Sequence, residues 1–256
     1  RSEVSVSSER RNYRRDVFQD ETLFHLDGTV VWLPTPQFSW TVADSFRNVP
    51  VSQALPDTPA NREDTNMFLT GPGYEWRTTP ADHLLVEARY GRFDAEQSNI
   101  DNDRQSGALR WRHRHSSLSE QSLNFEHLQV DFDDSAANTN YRRQDLFYRG
   151  RFRPSRNELT MDLGYTNIDR DRQSKLDGSL FRLTAAREIT STRRMGVQMS
   201  SQYSDTAIDL SPSGITTTPG PGGAAEATTE ALSGDVFYTK RAEVFVTSTG
   251  GSLPWA

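Results

Sequence analysis

Two rows of arginine at alternate positions are the residues best placed to do chemistry in this chain. Arg110, Arg112 and Arg114 form one row, and Arg149, Arg151 and Arg153 the other. Side chains two apart on a strand share a face, so each row presents fixed guanidinium groups, always charged and shaped for paired hydrogen bonds to carboxylate or phosphate. Glu87, Arg89, Asp162 and Arg182 sit at the matching polar positions of neighbouring segments, with Glu126 near them. Two uses of such a face are open. It can select anionic or sugar ligands, or it can lock its own carboxylates into a salt-bridge network that stiffens a wall. We favour the second.

Other candidate chemistry is weaker. Asn99 to Ser106 and Asn167 to Ser174 agree at every position except the fourth. Their aspartates suit a hard cation or a lipopolysaccharide contact, but the glycine turn and closing glutamate of a helix-flanked calcium loop are missing. Repeated hairpin-loop chemistry is the expectation. His113 and His115 are two apart, a spacing that zinc can use, and only His25, His83 or His127 could add a third nitrogen from another strand. Interfacial or interior histidines are the simpler reading. Serine, histidine and carboxylate occur without a glycine elbow or any local arrangement of a catalytic triad. No enzymatic site and no cofactor is expected.

The elements that carry these residues are strands. Leu84, Val86, Ala88 and Tyr90 oppose Glu87 and Arg89; Leu109 and Trp111 oppose the first arginine row; Leu146, Tyr148 and Phe152 oppose the second. Leu159, Met161, Leu163 and Tyr165 oppose Asp162; Phe181, Leu183 and Ala185 oppose Arg182; Met195, Val197 and Met199 oppose Gln198. Period-two alternation of this kind marks strands with one apolar and one polar face. One segment breaks parity, with Leu123 and Phe125 on one face and Val130 and Phe132 on the other, which predicts a bulge at 127–129. Further strands are expected at Val4 to Tyr13, Phe24 to Leu33, Phe38 to Ala43, Met67 to Trp76 and Val236 to Val246, about twelve in all.

Short turns fall at 34–36, 79–81, 116–117, 154–156 and 191–192, with a further candidate at 249–251, and after the first interval they recur about every 37 residues. Between them lie longer polar connections near 49–65, 96–104, 133–142, 169–177 and 205–235. The last holds a Thr, Pro and Gly tip at 216–223 and a candidate helical turn at 224–232. Short turns at one end and long loops at the other describe an all-β, antiparallel, up-and-down transmembrane barrel, a single domain over residues 1–256. Its polar face would be the interior. Trp40, Trp76, Trp111, Tyr90, Tyr148 and Tyr165 are candidates for interfacial girdles.

Composition agrees with that class and removes others. An apolar content of 34% and a mean hydropathy of −0.74 are low for one large core but compatible with a barrel whose interior is polar. No apolar run reaches the length of a membrane helix. A net charge of −6 argues against nucleic acid as a partner, and the absence of cysteine removes disulfides and thiolate metal sites. Only Lys175 and Lys240 are lysine, so the positive charge is almost wholly guanidinium. Arg1 and the Trp255-Ala256 end do not read as natural termini, and a targeting segment and further strands are expected beyond them.

Phe38 to Asp44, Leu55 to Glu63, Thr70 to Gly73, Ala88 to Arg92, Asp101 to Arg104 and Asp162 to Tyr165 occur in an order that resembles the outer-membrane β-barrel proteins associated with exosortase/PEP-CTERM and exopolysaccharide gene sets of Gram-negative bacteria. The resemblance covers most of residues 1–205. It implies a place in the bacterial outer membrane, with membrane lipid and exopolysaccharide or its export machinery as partners, and a role as channel or scaffold in polysaccharide export or surface-protein sorting. It carries no catalytic residues. The alternative is a soluble, propeller-like all-β carbohydrate-binding protein, whose blade length is close to the turn interval.

Overall fold

The computed structural model describes residues 2–12, 20–52, 55–56, 58–205 and 235–248. Twelve strands follow one another: β1 (Ser2–Arg11), β2 (Glu21–Trp32), β3 (Phe38–Pro50), β4 (Arg62–Arg77), β5 (Asp82–Ala95) and β6 (Asn102–Arg114), then β7 (Ser119–Phe132), β8 (Tyr141–Phe152), β9 (Asn157–Arg170), β10 (Leu176–Glu188), β11 (Arg193–Ser204) and β12 (Phe237–Ser248). Each pairs antiparallel with the next in a single sheet whose spatial order is the sequence order. This is the up-and-down all-β architecture that the alternation predicts. It is one meander, so four-stranded propeller blades are ruled out. Among the described residues β1 and β12 remain open edges.

The tight turns are built by hydroxyl side chains that replace ladder partners at the chain reversal. Thr79 Oγ1 accepts the Asp82 amide at 2.9 Å and donates to its carboxylate at 2.8 Å. Ser116 Oγ accepts the amides of Leu118 and Ser119, and Thr190 Oγ1 accepts that of Arg193. At the opposite end Asn61 organises the connection between β3 and β4, taking the Ser52 amide and donating to the carbonyls of Ser52 and Pro56.

The sheet is strongly curled. Five strand spacings separate β6 from β11, about 24 Å in a flat sheet, yet Arg104 of β6 is 3.0 Å from Asp205, the residue that follows β11. Curling brings one face inward, and at the loop end that face closes on a buried cluster of Val49, Met67, Phe93, Val130, Tyr141 and Ile168, drawn from β3 to β9.

This cluster explains why the expected bulge is absent. Register runs unbroken from Arg114 opposite Glu120 to Asn102 opposite Phe132, and from Ser119 opposite Phe152 to Val130 opposite Tyr141. Leu123 and Phe125 face outward, whereas Val130 and Phe132 face the core. The strand keeps its parity; the concave face itself changes from polar to apolar along its length.

The strands also run further into the polar segments than their composition suggests. β4 begins at Arg62 inside the stretch expected to be loop, with Glu63 and Thr65 buried. The two Asn-Ile-Asp segments are not equivalent hairpin loops. Asn99 to Asp101 lead into β6, whereas Asn167 to Arg170 end β9, although Ile100 and Ile168 reach the same core. The turn expected at 249–251, the tip at 216–223 and the helical turn at 224–232 lie outside the described residues.

Gly164 is required by close approach. It sits opposite Phe147, and a Cβ there would lie 2.3 Å from both the Leu146 carbonyl oxygen and Phe147 Cβ. Gly164→Ala is therefore expected to cost about 1–3 kcal/mol, read as a lower midpoint of urea unfolding.

Candidate functional site

The concave face carries the arginine rows, and most of their members are tied to partners. Arg149 grips Asp162 through two hydrogen bonds of 2.6 and 2.7 Å. Arg182 reaches the same carboxylate at 3.3 Å and also donates to Gln202. Both guanidinium groups lie about 5.5 Å from the centre of the Phe147 ring, an arrangement in which the ring face attracts the cations. Gly164, by lacking a side chain, gives that ring its place.

Further round, Arg110 donates to Asn124 at 2.7 Å, and Arg112 donates to Glu75 at 3.0 Å, a carboxylate that His83 also contacts. Arg89 holds Glu87 at 2.7 Å and the Pro72 carbonyl. That carbonyl lies where β4 leaves the β5 ladder at Gly71 and Pro72. Glu87, Arg89, Arg110, Arg112, Arg149, Asp162 and Arg182 thus gather on one face. Arg151 joins them half-buried, with its Nε lacking a hydrogen-bond partner. Arg114 and Arg153 differ, standing exposed at the turn-side rim, where Arg153 pairs with Glu158.

At the loop end the charges are fully enclosed. Arg104 clasps Asp205 with both terminal nitrogens, and Tyr141 donates its hydroxyl to the same carboxylate. Arg143 pairs with Asp145 at 2.9 Å and donates to the Tyr203 carbonyl at 2.8 Å. Thr166 donates to Asp145 at 2.6 Å. Such groups survive burial only because each is paired and hydrogen-bonded. Together with the apolar cluster they fill this end of the interior. Above it, two hydrogen bonds join Arg92 to Asp133 beyond the end of β7, and they hold that carboxyl below the ordinary aspartate range.

Arg104 and Arg143 were legible by parity, since they continue the rows of Arg110 and Arg149 toward the loops. Asp205 carries no local signal, because its partner is 101 residues away.

The convex face is the chemical opposite. Val86, Leu109, Leu123, Phe125, Leu146, Leu163, Val197 and Val244 are exposed, and the band reaches the outer strands, where Val4 and Val246 are also exposed. Trp32, Trp40, Trp76 and Trp111 stand near the turns, with Tyr148 level with Trp111. Tyr90 and Tyr165 stand toward the loops, donating to Asp103 and Asp177.

His113 is bound to Asp82 at 2.8 Å, and among the described residues no three His, Asp or Glu side chains gather as a metal site. What this arrangement can do chemically is hold a rigid charge lattice inside and offer an apolar skin outside. Neither a protein-family model nor a curated protein matches this chain.

Proposed function

We propose that the chain forms the wall of a non-enzymatic bacterial outer-membrane β-barrel, acting as a scaffold in exopolysaccharide export or surface-protein sorting rather than as an open pore. The observation that carries the membrane reading is the convex face. Its apolar band extends from β1 to β12 and is bordered by tryptophans near the turns and tyrosines near the loops. Water-soluble monomers rarely expose apolar patches of more than a few hundred Å², whereas a barrel must present such a band to lipid. On β9 the band runs from Leu159 to Tyr165, about 20 Å along an extended strand. The proposed partners are outer-membrane lipid and, through the motif resemblance, exopolysaccharide or its export machinery.

Fluorophores on Leu163→Cys and Val197→Cys should be quenched by brominated lipid in proteoliposomes, while one on Gln198→Cys should not. Equal quenching at all three sites would overturn the assignment of faces, and failure to associate with liposomes would overturn the membrane reading.

The scaffold reading is supported by the filled loop-side interior, and it predicts little or no single-channel conductance. A second reading, anion passage, is favoured by the unpartnered Nε of Arg151. Changing Arg110, Arg112, Arg149 and Arg151 together to Gln separates them. A lower melting temperature with no change in ion permeation is expected; a shift of reversal potential toward cations would instead assign the rows to selectivity.

A further inference from the structure

The turn end of β7 to β9 has a feature that a plain membrane wall does not need. On the convex face Gly150 leaves a groove of about 330 Å³, walled by Tyr148, Phe152, Leu159 and Met161 and reached by His115. Gly150 opposes Gln121 on one side and Met161 on the other. Nothing crowds it: a Cβ there would meet only the Tyr148 ring, at 3.7 Å. Close approach does not demand glycine here as it does at Gly164.

Two cations at the mouth of the groove stand outside the ion-pair network of the described residues. Arg114 precedes His115, Arg156 lies in the turn between Phe152 and Leu159, and both arginines are exposed with no ion pair among the described residues. Of the nearby carboxylates, Glu158 is engaged by Arg153 and Arg194, and Glu120 lines the groove opposite Arg114 but lies 4.0 Å from Arg112. Glu188 meets Arg156 through a backbone hydrogen bond without an ion pair among the described residues. An apolar slot of this size, opening beside cations that lack carboxylate partners, matches a molecule with a hydrocarbon chain and an anionic head.

We infer that this groove seats one acyl chain of an anionic phospholipid from the turn-side leaflet, with the phosphate held by Arg114, Arg156 and His115. The inference rests on the membrane-spanning reading above. The guanidinium groups supply the charge attraction that favours anionic headgroups at a membrane surface, and the apolar walls supply chain burial. A zwitterionic lipid fills the slot equally well but gains less from the cations.

The test is native mass spectrometry of the full chain, released from bilayers containing equal phosphatidylglycerol and phosphatidylcholine. Flotation with liposomes is measured first on the same protein. The expected result is one retained phosphatidylglycerol in preference to phosphatidylcholine. Gly150→Leu should abolish that retention, and Arg114→Gln with Arg156→Gln should lower the preference roughly tenfold or more. The arginine pair is exposed, so its loss leaves folding intact and the test valid even where the groove variant folds poorly. Flotation with equal retention of both lipids, or preference unchanged in both variants, would overturn this proposal alone. Failure to float would overturn the membrane reading and this proposal together. Dissociation of a dimer by Gly150→Leu without change in bound lipid would identify a second copy as the occupant, and would also overturn it.

Discussion

Asp162→Ala is expected to destabilise the protein by about 3–5 kcal/mol, the largest loss from any single change on the concave face. Asp162 is 2% exposed and accepts hydrogen bonds from Arg149 and Arg182. Removing it leaves two poorly hydrated guanidinium groups beside one aromatic ring without their shared counter-charge. The cost is that of uncompensated charge, and it exceeds what the hydrogen bonds contribute while intact. Urea unfolding from detergent micelles measures it. A loss below about 1 kcal/mol, the value of a solvent-screened pair, would mean that water fills this part of the interior. The anion-passage reading would then gain at the expense of the scaffold.

Leu163→Arg should cost about 2–4 kcal/mol when the protein is folded into a bilayer. Leu163 is exposed in the middle of the β9 band, flanked by Leu146 on one side with Tyr148 directly opposite, and by Phe181 on the other strand. A charge placed there must enter hydrocarbon or distort the bilayer to avoid it. In a water-soluble sheet the same change relieves an exposed apolar patch and is neutral or favourable. The sign of the effect in lipid vesicles therefore separates the two environments without reference to any activity. Gln198→Arg serves as the control, since Gln198 lies on the concave parity between Val197 and Met199.

The strands were legible from their turn-side stretches, where one face is apolar and the other polar, as in β5, β9 and β11. They were misread where the concave face changes character along the strand. Val130 and Phe132 imitate a slipped register because they are inward-facing core residues beyond inward-facing Ser122 and Asn124. Strand ends were underestimated for a related reason. Arg62 to Thr65 and Tyr141 have loop-like composition, but their polar side chains are consumed by partners inside the curl rather than by local turns. The arginine rows were visible from spacing alone. What they grip was visible only in part: Asp162 is a near neighbour in register, whereas the closure through Asp205 depends on curvature that no local pattern encodes.

That closure has a bearing on kinetics. Every strand pairs with its successor, so the meander can grow by adding one hairpin after another, each between strands adjacent in sequence. The contact of Arg104 and Tyr141 with Asp205 is of another order, since it forms only when six strands, β6 to β11, have already been laid down and bent. An interaction acquired after the rate-limiting step leaves the speed of assembly almost unchanged and acts on the reverse rate. The clasp at the loop end is therefore expected to act on how long a folded molecule keeps its curvature, through Asp205, the residue that follows β11.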